Sequence, residues 1–157
     1  MRSILIAVVL VLGFCVQGEA RSLEKQYIVV HHTATPPHIK RFEKAECDAA
    51  HRQVGYDECG YNFLVDREGV VHPARSLDKP GAHSQGIHNY DGIGISFVLD
   101  GRVEEPSDFA IEAFRSLSNQ LRGLYGNLKI IGHGKQYGGT GNTLCPTDAV
   151  WERVKSL

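Results

Sequence analysis

Two apolar runs far apart in the chain, Tyr27-Ile-Val-Val-His31-His32 and Leu128-Lys-Ile-Ile-Gly-His133, each end in histidine. Continuous β-branched residues at this length predict strands buried on both faces. Each run is therefore expected to carry an imidazole to the C-terminal edge of a sheet. Cys145 follows twelve residues after His133 and, with Pro146, opens a short amphipathic segment. Two strand-end imidazoles and one thiolate have the composition of an open zinc site, with three protein ligands and a fourth position left for water. A closed structural site needs a fourth protein ligand, and none is evident in the sequence.

The N-terminus reads as a leader rather than as part of the fold. Arg2 precedes an apolar run from Ile4 to Val16, and Gln17-Gly-Glu-Ala20 places small residues where a signal peptidase cuts. The run falls short of the roughly 20 residues a membrane helix requires. Cleavage after Ala20 is expected, with a retained N-terminal anchor as the alternative. Residues 1–20 are then a signal peptide and 21–157 one domain in an oxidising compartment, periplasmic or secreted. The formal net charge is −1, which argues against electrostatic capture of nucleic acid or of an anionic membrane. The mature chain is expected to be monomeric, without stable membrane association.

Cys15 leaves with the leader, so Cys47, Cys59 and Cys145 remain. An odd count in an exported chain asks for an explanation. Pairing Cys47 with Cys59 as a disulfide leaves Cys145 for metal; the alternative is that Cys47 and Cys59 are buried free thiols.

Along the chain, Pro36-Pro37 opens a segment through about Gln53 in which Ile39, Phe42, Ala45 and Ala49 share a helical face. Tyr61–Asp66 and Val70–Pro73 read as a β-hairpin turned by Asp66-Arg-Glu-Gly69. Arg75–Asp91 has no clean period and reads as a long loop, and such loops are often functional. Ile93–Leu99 is a further strand, turned by Asp100-Gly101. Ile111, Phe114, Leu117, Leu121 and Leu124 recur at helical spacing over Ser107–Leu124. Thr147, with Asp148 behind it, is expected to cap a last helix burying Val150, Trp151 and Val154. Strands interleaved with helices predict an α/β domain with a central mixed sheet flanked by helices on both faces.

Four blocks then resemble a known family, the zinc-dependent N-acetylmuramoyl-L-alanine amidases, whose superfamily includes phage lysozyme-type amidases and animal peptidoglycan-recognition proteins. They are Val30-His31-His32-Thr33-Ala34-Thr35; Gly60-Tyr61-Asn62-Phe63-Leu64-Val65; Gly81-Ala82-His83 with Ile93-Gly94-Ile95-Ser96-Phe97; and Gly132-His133 through Cys145-Pro146-Thr147-Asp148. Together they span nearly all of the mature chain.

The resemblance implies one zinc ion held by His31, His133 and Cys145, and hydrolysis of the amide joining the lactyl group of N-acetylmuramic acid to L-alanine in peptidoglycan. It implies catalytic roles for Tyr61, beside the metal site, and for Thr143, at a position where phage enzymes carry lysine. Asn62 is expected to face substrate, and His83 either to line the substrate groove or only to brace its loop. His32 points to the opposite strand face from His31 and is expected to be supporting; His51, His72 and His88 are expected to be surface or packing histidines. The separation between His133 and Cys145 is longer than the family's, and Gly138, Gly139 and Gly141 let the extra length bulge outward. Lys135 is a second candidate there for a charge-stabilising role. Two rival functions remain open: a muropeptide-binding module of the same fold that does not cut, and an amidase acting on soluble anhydro-muropeptides. Non-catalytic relatives typically lose the cysteine ligand, which this chain keeps.

Overall fold

The computed structural model describes residues 24–39 and 41–157; the leader expected over residues 1–20 lies outside the described residues. Five strands form one sheet in the order β3-β2-β4-β1-β5: β1 (Tyr27–His32), β2 (Phe63–Val65), β3 (Val71–Pro73), β4 (Gly92–Phe97) and β5 (Lys129–Gly132). β1 lies between β4 and β5 and is parallel to both, and β2 is parallel to β4. Only β3 runs antiparallel, paired with β2 through the expected hairpin. In its turn Gly69 takes a φ of +82°, a region open to glycine at little cost.

The two sheet faces differ in character. Ile28, Val30, Val65, Ile93, Ile95 and Phe97 pack against Ile111, Phe114, Leu117 and Leu121 of α3 (Asp108–Tyr125) and against Val150 and Val154 of α4 (Asp148–Val154). The Ser107 hydroxyl accepts the Ala110 N–H at 3.1 Å and so starts α3 where the sequence places it. On the other face Leu64 joins a smaller cluster with Cys47, Cys59 and Val98 beneath α1 (Lys44–Gln53). His31 pairs in register with Ser96, and both are buried. One face is thus an apolar core, while the other carries polar side chains under a thin cover. No described helix is long and apolar enough to cross a membrane.

Three local expectations are corrected. α1 begins at Lys44 rather than near Pro36: the two prolines disfavour a helical run there, and Glu46 folds back to accept the Glu43 N–H at 2.9 Å, fixing the start. The segment before it forms a wall instead. The 75–91 loop contains one short helix, α2 (His88–Asp91), too brief to show a period. Thr147 does precede α4, but its φ is +81° and its hydroxyl donates to Gly101 O at 3.0 Å rather than capping the helix.

Candidate active site

Parallel pairing brings the C-terminal ends of β1 and β5 to the same edge, so His31 and His133 meet there with ring centroids 4.7 Å apart. Cys145 is brought to them by the chain's return after the glycine-rich stretch: Gly134 N–H donates to Cys145 O at 2.7 Å. The donor atoms of His31, His133 and Cys145 all lie within 4.8 Å of one another. Cys145 Sγ is 3.7 Å from His31 Nδ1. A tetrahedral zinc ion, ~2.3 Å from sulfur and ~2.0–2.1 Å from imidazole, sets such a pair about 3.6 Å apart. The His31–Cys145 pair therefore has the separation that zinc requires, and His133 completes a donor set of the right chemistry.

Electrostatics favour the same use. Burial pushes His31 well below its ordinary pKa, and the surrounding His83, His133, His32 and His51 push the same way. Burial also lowers His133. Both imidazoles are thereby kept neutral, the form a metal needs. Burial pushes the Cys145 thiol up to about 12, opposed by the nearby His32 backbone amide. A metal ion would hold the thiolate form, the proton leaving to solvent as the sulfur binds. A second grouping, Cys47, His51 and Cys59, offers no such set, because Cys47 and Cys59 form a disulfide.

The Tyr61 ring stands 5.1 Å from that of His31. Burial raises the phenol's pKa, with a contribution from Cys145, against a smaller downward pull from Ser96. Tyr61 is therefore a hydrogen-bond donor at neutral pH. Thr143 Oγ1 accepts the Cys145 N–H at 3.2 Å, which leaves its own proton free to donate. Beside Tyr61 opens a mainly apolar groove of about 380 Å³, lined by Thr33, Pro36, Phe42, Ala50 and His51 among others.

Asn62 and His83 do not face that groove. Asn62 is buried; its Nδ2 donates to Arg75 O at 3.2 Å, and its Oδ1 accepts the Gly94 N–H at 2.8 Å. Its amide therefore joins the hairpin to β4. His83 is also buried, and its Nδ1 lies 3.1 Å from His31 Nε2. Burial, aided by the nearby His133, pushes its pKa down to about 3.

His32 lies as expected on the far side of β1, where its Nδ1 accepts N–H groups from Gly101 and Ala34 at 3.2 and 3.3 Å. His51 does more than pack: its Nδ1 accepts the Gly60 N–H at 2.9 Å, and its ring lies 5.3 Å from that of Tyr61. Asn89 is a further contributor, since its Oδ1 accepts the backbone N–H groups of His83 and Ser84 at 3.0 and 2.9 Å. Nothing in an aperiodic polar loop signals that role.

The glycine-rich stretch does not simply bulge outward. It forms a short 3₁₀ turn over Lys135–Tyr137, folds back so that Gly141 N–H donates to His133 O at 2.9 Å, and ties to the 75–91 loop through the Thr140 hydroxyl and Gln85 O. Lys135 is exposed on that turn.

The family model described as N-acetylmuramoyl-L-alanine amidase matches residues 21–148. The chain belongs to that family. It is 32% identical over 138 residues to Peptidoglycan recognition protein 1 of Bos indicus, covering 83% of this chain and 70% of that protein. Against the N-acetylmuramoyl-L-alanine amidase of Sus scrofa the identity is 28% over 142 residues, covering 83% of this chain but 23% of the longer pig protein. Among solved structures, the ectodomain complex of peptidoglycan recognition proteins LCa and LCx bound to tracheal cytotoxin superposes with a TM-score of 0.69 at 28% identity, covering 82% of this chain and 80% of that one. The α/β fold with a mixed sheet expected from the sequence is the fold of this amidase superfamily, which joins cutting enzymes to recognition proteins.

Proposed function

We propose that this amidase-family chain is a zinc-dependent N-acetylmuramoyl-L-alanine amidase that cleaves the bond between the lactyl group of N-acetylmuramic acid and L-alanine in peptidoglycan. The observation that carries the proposal is the convergence of His31, His133 and Cys145 within 4.8 Å, with a protonated Tyr61 against His31. His31, His133 and Cys145 would hold one zinc ion. When bound, zinc activates water at neutral pH and polarises a carbonyl oxygen.

The remaining steps belong to the chain's own residues. The mainly apolar groove beside Tyr61 seats the substrate and displaces water from around the scissile amide. The Tyr61 phenol donates a hydrogen bond where negative charge develops on the carbonyl oxygen, and the Thr143 hydroxyl supplies a second donor. Residues 1–20 are proposed to direct export and to be removed. The Cys47–Cys59 disulfide suits the oxidising compartment that follows.

The deciding test is mass spectrometry of purified sacculi incubated with residues 21–157, with and without a zinc chelator. Peptides beginning with L-alanine, released alongside peptide-free glycan and abolished by the chelator, are the expected result. Intact sacculi that retain bound protein would replace this reading with a recognition module. Cleavage confined to soluble anhydro-muropeptides would replace it with a recycling enzyme.

A further inference from the structure

His83 lies outside the three-residue set, yet two glycines make room for its side chain. Its ring lies on the polar sheet face where a side chain at position 94 would otherwise stand. A Cβ on Gly94 would fall 2.4 Å from His83 Cδ2, and one on Gly81 would fall 2.5 Å from the same atom. Neither distance is tolerable, so both glycines keep a slot open for the ring. Asn89 fixes the backbone on either side, accepting two N–H groups and donating from Nδ2 to Ser84 O at 2.8 Å. A histidine that only braced a loop would need no particular nitrogen directed anywhere. Here Nδ1 is aimed at Nε2 of His31, 3.1 Å away and also buried.

We infer that His83 is a positioning residue that fixes the tautomer of His31: its Nδ1 accepts the Nε2–H of His31 and leaves Nδ1 of His31 as the free lone pair. Two facing ring nitrogens can share only one proton. If His31 Nε2 carries it, His31 Nδ1 is unprotonated, and that is the atom lying 3.7 Å from Cys145 Sγ. If His83 Nδ1 carried it, the remaining proton of His31 would sit on Nδ1, pointing into the ligand cluster and blocking it. Donation of the second ring N–H to a fixed acceptor is how metal-binding histidines are commonly oriented, and loss of such a partner typically weakens metal binding ~10- to 100-fold. The second nitrogen of His83, Nε2, is buried without a hydrogen-bond partner among the described residues. His83 therefore makes one directed side-chain hydrogen bond, and it is to His31.

The inference rests on the zinc reading proposed above, and the test separates the two. Zinc affinity is measured by competition with a chelating dye for the wild-type chain, His83→Leu and His83→Asn, with circular dichroism to establish that each is folded. Wild type should bind one equivalent. His83→Leu should bind ~10- to 100-fold more weakly. His83→Asn, whose Oδ1 can replace Nδ1 as acceptor, should recover most of the loss. Nitrogen-15 NMR of the zinc-loaded wild type should find His31 and His83 both protonated on Nε2, a readout that does not depend on any variant folding. A wild type that binds no zinc sinks the zinc reading and this inference together. Wild type binding zinc while His83→Leu binds equally well, or His83 carrying its proton on Nδ1, overturns the inference alone.

Discussion

Asp48 Oδ1 accepts the backbone N–H of Cys59 at 2.7 Å, directly beside the disulfide that joins Cys59 to Cys47 of the same helix. One residue further on, His51 accepts the Gly60 N–H. α1 thus grips two consecutive peptide groups immediately before Tyr61, and its last turn lays a ring beside the phenol. The helix sets where Tyr61 stands, and so how the phenol meets the ligand cluster.

His51→Ala should therefore act through Tyr61 and the groove wall that His51 helps to line, leaving His31, His133 and Cys145 in place. Loss of one hydrogen bond of this kind costs about 1 kcal/mol, readable as a lower denaturation midpoint. Turnover should also fall, by less than in a Tyr61 variant, while zinc content stays at one equivalent. His51→Asn, which keeps an acceptor near Gly60, should recover part of both losses. Unchanged turnover in His51→Ala would show that the phenol is held by its other contacts.

Tyr61→Phe removes the phenol and keeps the ring. The raised pKa keeps the phenol protonated, so under the proposed role the variant loses a donor to developing charge, and turnover should fall about 10²-fold. Zinc binding and thermal stability should be close to wild type. A fully active Tyr61→Phe variant would take Tyr61 out of the chemistry.

Cys47→Ser/Cys59→Ser opens a loop whose ends are 12 residues apart. On the chain-entropy model that bridge contributes about 3 kcal/mol by restricting the unfolded chain. Denaturant titrations of oxidised wild type and of the double variant should differ by that order, and reductant should lower wild type toward the variant. Coincident curves would mean that Asp48 and His51 hold the segment unaided.

These residues also mark the limits of reading the sequence. The strands carrying His31 and His133, α3, the hairpin and the disulfide pair follow from local periodicity and cysteine count, and the meeting of His31 with His133 follows from where those strands end, whereas Cys145 reaches them through the loop after Gly134. The hydrogen bonds of Asn62 and His51 to the backbone amides of Gly94 and Gly60 are not legible in the sequence, because only the tertiary fold brings those partners near. Ile39 and Phe42 fit a helical face in the sequence, but in the structure they precede α1 and line the groove wall. The partnership of His83 with His31 joins residues 52 positions apart, a distance no periodicity spans.

Arg67 ties that groove wall to the body of the protein. Its guanidinium donates to Thr35 O and Ile39 O at 3.0 and 3.2 Å and pairs with Glu104 at 2.5 Å. The Arg67 hydrogen bond holds the Glu104 carboxyl below its ordinary pKa. For a lowered carboxylate the stabilisation is complete above the unfolded value, about 4.3, and is lost as pH falls through the lower folded value. Glu104→Gln should cost about 1 kcal/mol at pH 7, the pair being partly screened by solvent. The gap from wild type should narrow on acidification below about pH 4. Denaturant midpoints at several pH values measure it, and a gap independent of pH would mean that the ion pair contributes nothing.

Gly141→Ala probes the glycine-rich stretch where it meets a ligand. A Cβ there would lie 2.5 Å from both Cδ2 and Nε2 of His133. The backbone cannot readily retreat, because Gly141 donates to His133 O at 2.9 Å and accepts from Lys135 N–H at 3.0 Å. The His133 ring must give way instead, and with it one corner of the ligand cluster. Forcing a methyl into such a packed site costs about 1–3 kcal/mol. The expected result is weaker zinc binding and lower turnover, with a modest loss of stability. Gly138→Ala is the control: Gly138 lies on the same stretch, away from the His133 ring, with a φ of +89°. Its methyl should lower stability through that backbone strain but leave zinc affinity near wild type. Equal zinc affinity in Gly141→Ala would show that the stretch can move away from His133, and that its close fit over the ring is not needed to hold the ligand.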